Sequence, residues 1–275
     1  PHDYGCCYFL NMKTPEGGNL FMSCVSDLAL ESREFVLLLG RLEPTGLRIP
    51  GLIDTFQGVQ ADTKQIIGQV ASDSERKGIF EDAIKLYDLA GNHEKVLGLM
   101  TTMLSQVVHQ VNAPGSLRSR LQELADNIIM RYRGQQINSS PDTASSFFLL
   151  RELLTFYNQY HAKEYQQALE TIAKTKLIPL ALTEVEKRVN NFKRLSEEIC
   201  RNIPGVLLAT MSILYSQYNK QKGSSPSATT GRLEDKNLAY LREQARAITS
   251  FAGTVPYRMP GDTNSRLVQM EILMH

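Results

Sequence analysis

The sequence predicts an all-α fold, an irregular α-solenoid of stacked antiparallel helices, and three observations predict it. Apolar residues recur at steps of three and four through almost the whole chain, which gathers them on one face of a helix. No segment shows the strict apolar–polar alternation of a half-buried strand. "FEDAIKLYDLAG" from Phe80 is echoed by "YQQALETIAKTK" from Tyr165, each with an aromatic, two polar residues, an alanine and an aliphatic residue. The alanine lets a neighbouring helix come close while the aromatic wedges between helices, as in helix-pair repeats. The copies are not set at a fixed short period, hence an irregular stack. A globular bundle of the same helices is the alternative.

In chain order, Asn19 to Leu30 and Phe35 to Leu42 carry the first helical patterns. "LEPTGLRIPG" then reads as a loop, broken by Pro44, Gly46, Pro50 and Gly51. Asp62 to Lys77 follows, with Ile66, Ile67, Val70 and Ala71 on one face. "FEDAIKLYDLAGNHEKVLGLM", Phe80 to Met100, reads as a helix hairpin. Gly91 can take the left-handed conformation that ends one helix, and Asn92 can cap the next. Pro114 is placed to start a helix whose inner face is Leu117, Leu121, Leu124, Ile128 and Ile129. Ser140 as cap and Pro141 as first helical residue open the helix that carries Phe147 to Tyr160. "TEVE" at Thr183 to Glu186 matches a capping box. Later helices are predicted over Leu195 to Tyr218, Leu233 to Phe251 and Thr263 to Met274, with a flexible polar loop, Lys222 to Arg232, inside a single unit spanning residues 1–275.

The chain has 275 residues, 42% hydrophobic and 21% charged, with a net charge of +1. That length can bury a sizeable core, and the near-neutral balance argues against a dedicated nucleic-acid or membrane-surface binder. No apolar run reaches the roughly 20 residues of a membrane span; "IPGVLLATMSILYSQY" comes nearest. The first residues lack a basic start and an apolar signal core, and the absence of an initial Met suggests a piece of a larger protein. Cys6, Cys7, Cys24 and Cys200 show no staple-like spacing, which favours a reducing compartment.

Motifs for chemistry are sparse. His93 and Glu94 would begin a zinc-protease "HExxH", but Leu97 stands where the second histidine must be. His2, His109, His161 and His275 have no Cys or His partner at metal-ligand spacing. Vicinal Cys6 and Cys7 read as small buried hydrophobes rather than a redox pair. No glycine-rich nucleotide loop and no nucleophile elbow occur. We therefore expect no catalytic residue, no cofactor, no metal and no small-molecule ligand. Glu184, Glu186, Glu197 and Glu198, interleaved with Lys187, Arg188, Lys193 and Arg194, read as a solvated face with i, i+4 pairs. Arg118 with Arg120, and Arg131 with Arg133, read as solvated helix faces in preference to nucleic-acid contacts. "SFFLLRELLTFYNQY" holds more large apolar residues than one helix face needs. Burial on several sides explains that. The rival reading gives Phe147, Phe148, Phe156 and Tyr157 to a partner.

"ESREFVLLLGRLEP", "GIFEDAIKLYDLAGNHEKVLGLM", "VLLATMSILYSQYNKQKGSSPS" and the closing "ITSFAGTVPYRMPGDTNSRLVQMEILMH" resemble the C-terminal half of one family. It is the linker nucleoporin of the nuclear pore inner ring, the ninety-three-kilodalton nucleoporin family. The resemblance runs from about Leu20 to His275. It implies the later part of a non-catalytic α-solenoid that scaffolds the nuclear pore complex at the nuclear envelope. It also implies partners: other nucleoporins, in particular a linear segment of a small, largely disordered, membrane-associated inner-ring nucleoporin. Direct nucleic-acid or membrane contact is not expected. A helical-repeat adaptor of membrane traffic or another assembly is the alternative.

Overall fold

Twelve α-helices and one two-stranded ribbon make up the described residues of the computed structural model. Those residues are 12, 13, 15, 19–55, 63–223 and 231–275, without the side chains of 231–234. The helices are α1 (Leu20–Ser32), α2 (Phe35–Leu39), α3 (Thr63–Arg76), α4 (Phe80–Leu89), α5 (His93–Val107) and α6 (Leu117–Tyr132). They continue with α7 (Pro141–His161), α8 (Tyr165–Thr175), α9 (Val185–Phe192), α10 (Glu197–Lys222), α11 (Gly231–Thr254) and α12 (Thr263–Leu273). The all-α class read from periodicity is the class observed. His2, Cys6 and Cys7 lie outside the described residues, as does most of the polar loop, whose ends are Lys222 in α10 and Gly231 in α11.

Two of the local signals at helix ends, at Gly91–Asn92 and at Ser140, act as the residues suggest. Gly91 takes φ 75°. The Asn92 N–H reaches back to Tyr87 O at 2.9 Å and the Gly91 N–H to Asp88 O at 3.0 Å, so the last carbonyls of α4 are satisfied. Asn92 Oδ1 then accepts from the Lys95 N–H at 3.2 Å, opening α5. Ser140 Oγ accepts from the Thr143 N–H at 3.2 Å ahead of Pro141. Pro114 stands three residues before its helix; Ser116 is the cap, its hydroxyl accepting from the Ser119 N–H at 3.1 Å.

Two expectations are corrected. "LEPTGLRIPG" is a hairpin, β1 (Arg41–Leu42) against β2 (Arg48–Ile49), with Arg41 opposite Ile49. Glu43 O accepts from the Gly46 N–H, and the Glu43 N–H donates to Leu47 O, both at 2.9 Å. With Pro44 pre-setting the turn and Gly46 at φ 85°, this is a type I turn closed by a left-handed bulge. Strands of two residues are too short to show alternation. The capping box at Thr183–Glu186 does not close. Thr183 lies inside a 3-10 turn, Leu182–Glu184, and Glu184 takes the Leu180 N–H at 3.2 Å instead.

Arg48 and Asp54 hold the hairpin. Two parallel bonds of 2.8 and 2.7 Å join their side chains, Asp54 Oδ2 also accepts from the Gly51 N–H at 2.7 Å, and Arg48 donates to Leu39 O at 2.8 Å. The Arg48 hydrogen bond outweighs the cost of burial and holds the Asp54 carboxyl below its ordinary value. Because the folded value lies below the unfolded one, this stabilisation is complete above about pH 5 and lost as pH falls through the carboxylate range. We expect urea midpoints of the parent to fall more steeply between about pH 5 and pH 3 than those of Asp54→Asn. Parallel pH profiles would contradict this role.

The chain forms two compact units, residues 1–100 with 123–144 and residues 101–122 with 145–275. In the first, α3 and α4 pack as a hairpin, α1 lies on α3, and α2 on the 3-10 turn Leu52–Thr55. Ile66, Ile67, Val70, Ile84, Leu97 and Met100 are shielded from solvent, each burial contributing roughly 1.5–3 kcal/mol. In the second, α10 packs on α11 and α12, and α9 lies on α11. By length and composition α10 could cross a membrane, but 61% of its most apolar window is buried within the fold. That is the mark of a core helix, with polar ends extending the short apolar run read from the sequence.

Candidate functional site

The first unit carries a cleft of about 490 Å³ between the α1–α2 junction, β1, α4 and α6. Phe35, Val36, Leu42, Leu89 and Leu124 give it an apolar lining. Around them stand Arg33, Arg41 and Lys85, with Glu34 and Asp82 as the opposing charges. Local structure sets these positions: Arg33 ends α1 in the left-handed conformation at φ 58°, so the chain reverses into α2 at the cleft wall. Since Glu43 donates to Leu47 O, antiparallel alternation turns the N–H and C=O of Leu42 away from β2, leaving a short open strand edge. An apolar lining, surplus cations and a free backbone edge suit an extended segment with apolar anchors and acidic neighbours.

Behind the cleft, Asp88 is buried. Its carboxylate accepts from Arg131 Nη2 and from the Tyr132 hydroxyl at 2.8 Å. Burial and then the Asp88 charge push the Tyr132 hydroxyl far above its ordinary value, so it stays protonated and donating. The Tyr132 ring also packs on His93, centroids 4.6 Å apart.

Leu97, at the position where the second histidine of a zinc motif would stand, lies in the core, and His93 and Glu94 sit at the start of α5. They do more than bend their own hairpin, because both hold the approach to α7. His93 Nδ1 accepts from the Asn138 N–H at 3.1 Å. The Glu94 carboxylate accepts from the Ser140 N–H at 2.7 Å and the Thr143 hydroxyl at 2.8 Å. The Ser140 N–H, with both hydroxyls, draws the Glu94 carboxyl below its ordinary value.

The arginine pairs read as solvated faces are corrected. Arg118 is the largest fully buried side chain among the described residues, and Arg131 is tied to Asp88; only Arg120 and Arg133 are exposed. Arg118 falls at i, i+3, i+7 with buried Leu121 and Ala125, the spacing that turns it inward. Arg188 forms the expected pair with Glu184 at 2.7 Å but is itself buried. Of the residues considered for a partner, Phe147, Phe156 and Tyr157 lie in the core, which leaves them no surface to offer, and Phe148 alone is exposed, at 42%. The excess of apolar residues on α7 is explained by burial on several sides. Lys85, Arg41 and Asp88 were not singled out from the sequence. Asp88 could have been found, since it stands four residues after Ile84 on an apolar face.

Among the described residues, no three His, Cys, Asp or Glu side chains gather as metal ligands. Packed helix pairs joined by polar ties define an all-α, helix-pair class of protein. The family model Nup93/Nic96 matches residues 2–266, and the chain belongs to that family. It is 50% identical over 273 residues to the nuclear pore complex protein Nup93 of Danio rerio and 34% identical over 281 residues to Nup93-1 of Drosophila melanogaster, covering 98% of this chain in both cases. It spans about a third of those relatives' length: 33% and 34%. The crystal structure of Chaetomium thermophilum Nic96 SOL superposes with a TM-score of 0.79, covering 91% of this chain and 40% of that one at 20% identity. The last comparison shows a shared fold.

Proposed function

We propose that this chain is a stretch of a scaffold nucleoporin of the nuclear pore complex inner ring, required for pore assembly and so for nucleocytoplasmic transport. The observation that carries this is 50% identity, over nearly the whole chain, to proteins named nuclear pore complex protein Nup93. The adaptor alternative is not favoured, because the relatives at that identity are named nuclear pore complex proteins. The role is mechanical, with partners held by binding and no reaction catalysed. The partner is a linear segment of a small, largely disordered, membrane-associated inner-ring nucleoporin, and it lies in the cleft with apolar side chains on Phe35, Leu42 and Leu89. Acidic neighbours face Arg41 and Lys85.

Two experiments test the two levels. The tagged full-length protein should mark a punctate nuclear rim, and a diffuse or vesicular signal would remove the pore assignment. Calorimetry with peptides from the small disordered nucleoporin should give heat that Arg41→Glu with Lys85→Glu weakens about tenfold or more. Undiminished binding by that double variant would move the segment to another surface, exposed Phe148 being the next to examine.

A further inference from the structure

Ser139, Ser140 and Pro141 set two adjacent hydroxyls in opposite situations. Ser139 Oγ is buried without a protein partner, whereas Ser140, Pro141 and Asp142 are all exposed. Ser140 Oγ lies 2.8 Å from Thr143 Oγ1 and 3.3 Å from Glu94 Oε1, while its own N–H donates to Glu94 Oε2 at 2.7 Å. An exposed serine followed directly by proline is the substrate pattern of proline-directed protein kinases, whose pocket accepts a tertiary amide with no N–H to satisfy.

We propose that Ser140 is a phosphorylation site for a kinase of that class, and that the phosphate opens the tie between Glu94 and the start of α7. Ser140 Oγ attacks the γ-phosphorus of ATP, the bond to the bridging oxygen breaks, ADP leaves, and the hydroxyl proton passes to the base of the kinase. The product carries about −1.5 to −2 charges at a distance where Glu94 already carries one. The N-terminus of α7 offers only about +0.5 in return. Repulsion therefore expels the Glu94 carboxylate, and the phosphate oxygens take over the N–H groups of the first turn. The Glu94 tie from α5 is lost while His93 keeps the Asn138 N–H and α7 keeps its cap.

The test treats the intact chain with a proline-directed kinase and ATP. Mass spectrometry locates the phosphate and separates Ser140 from the other such pairs, Thr14–Pro15 and Ser225–Pro226. The expected result is phosphate on Ser140. Amide exchange at Ser140, whose N–H Glu94 holds, should then quicken on the order of tenfold, with the interior of α7 unchanged. Glu94→Lys should reverse the sign, because lysine pairs with the phosphate and exchange slows on phosphorylation. No phosphate on Ser140, while the same kinase modifies a Ser-Pro control peptide, overturns the site. Unchanged exchange, or the same sign of change in the parent and in Glu94→Lys, overturns the switch.

Discussion

Replacing Arg118 by alanine lowers the unfolding free energy by about 3–5 kcal/mol, read as a fall in the urea midpoint at constant slope. Among the described residues, no carboxylate pairs with the guanidinium. It donates to Val108 O at 3.4 Å, Leu154 O at 3.2 Å and Gln122 Oε1 at 3.1 Å. Val108 follows the last residue of α5, where carbonyls have no helical partner and a cation is favoured. Burial lowers the Arg118 pKa from its ordinary value, yet a guanidinium remains charged at any ordinary pH. Alanine removes a donor from two buried carbonyls and one of the two donors to Gln122 Oε1, which keeps Asn158, and leaves a cavity in place of a long side chain. Arg118→Met, which fills the volume without donors, should recover only part of the loss. Arg118→Lys should also fall short, because an ammonium on a narrower stem cannot fork to three acceptors. If alanine and methionine cost the same, packing is not involved. A cost below about 1 kcal/mol for alanine would remove the buried network from the account.

Asp88→Ala is the second large effect, again about 3–5 kcal/mol. The side chains of Asp88 and Arg131 are 3% and 15% exposed, so removing the anion strands a largely desolvated cation and an unpaired Tyr132 hydroxyl. Asp88→Asn keeps an acceptor for Tyr132 and should cost less, about 1.5–3 kcal/mol, the worth of a hydrogen bond to a charged group. The double variant Asp88→Leu with Arg131→Met should be more stable than Asp88→Ala, since replacing both charges leaves no stranded cation and only the Tyr132 hydroxyl unpaired. A double variant no better than Asp88→Ala would show that packing, and not the stranded charge, sets the loss.

Two helix ends were legible because their deciding atoms lie within a few residues of one another, whereas the equally local Thr183–Glu186 signal gave way to a 3-10 turn. The capping bonds of Asn92 and of Ser140 stay within their own turn, so composition and spacing suffice for them. The inward turn of Arg118 was readable in principle from its register with Leu121 and Ala125, but the residue type suggests solvent, and its acceptor Leu154 is 36 positions away. The Glu94 tie spans 46 positions, and no local pattern announces a carboxylate that caps a helix two helices on. The hairpin at Arg41–Ile49 was hidden by its brevity, although Pro44 and Gly46 are the turn residues it requires. The cleft depends on α1, β1, α4 and α6 coming together, which is tertiary information that periodicity does not carry. The α7 aromatics show the opposite case, in which apolar excess was visible and only the structure could say how much of it faces inward.

The alternation of the two units along the chain bears on how the molecule can be cut. Residues 101–122 belong to the second unit and residues 123–144 return to the first, so no single cleavage separates them. Ending a fragment at Met100 removes Arg131 and Tyr132 and leaves Asp88 facing a void. Starting one at Thr101 retains Arg118 but carries residues 123–144 away from their unit. During synthesis the first unit likewise waits for Ala144 to leave the ribosome, by which point the opening segment of the second has already emerged. Expression boundaries for either half are thus a matter of two junctions, not one.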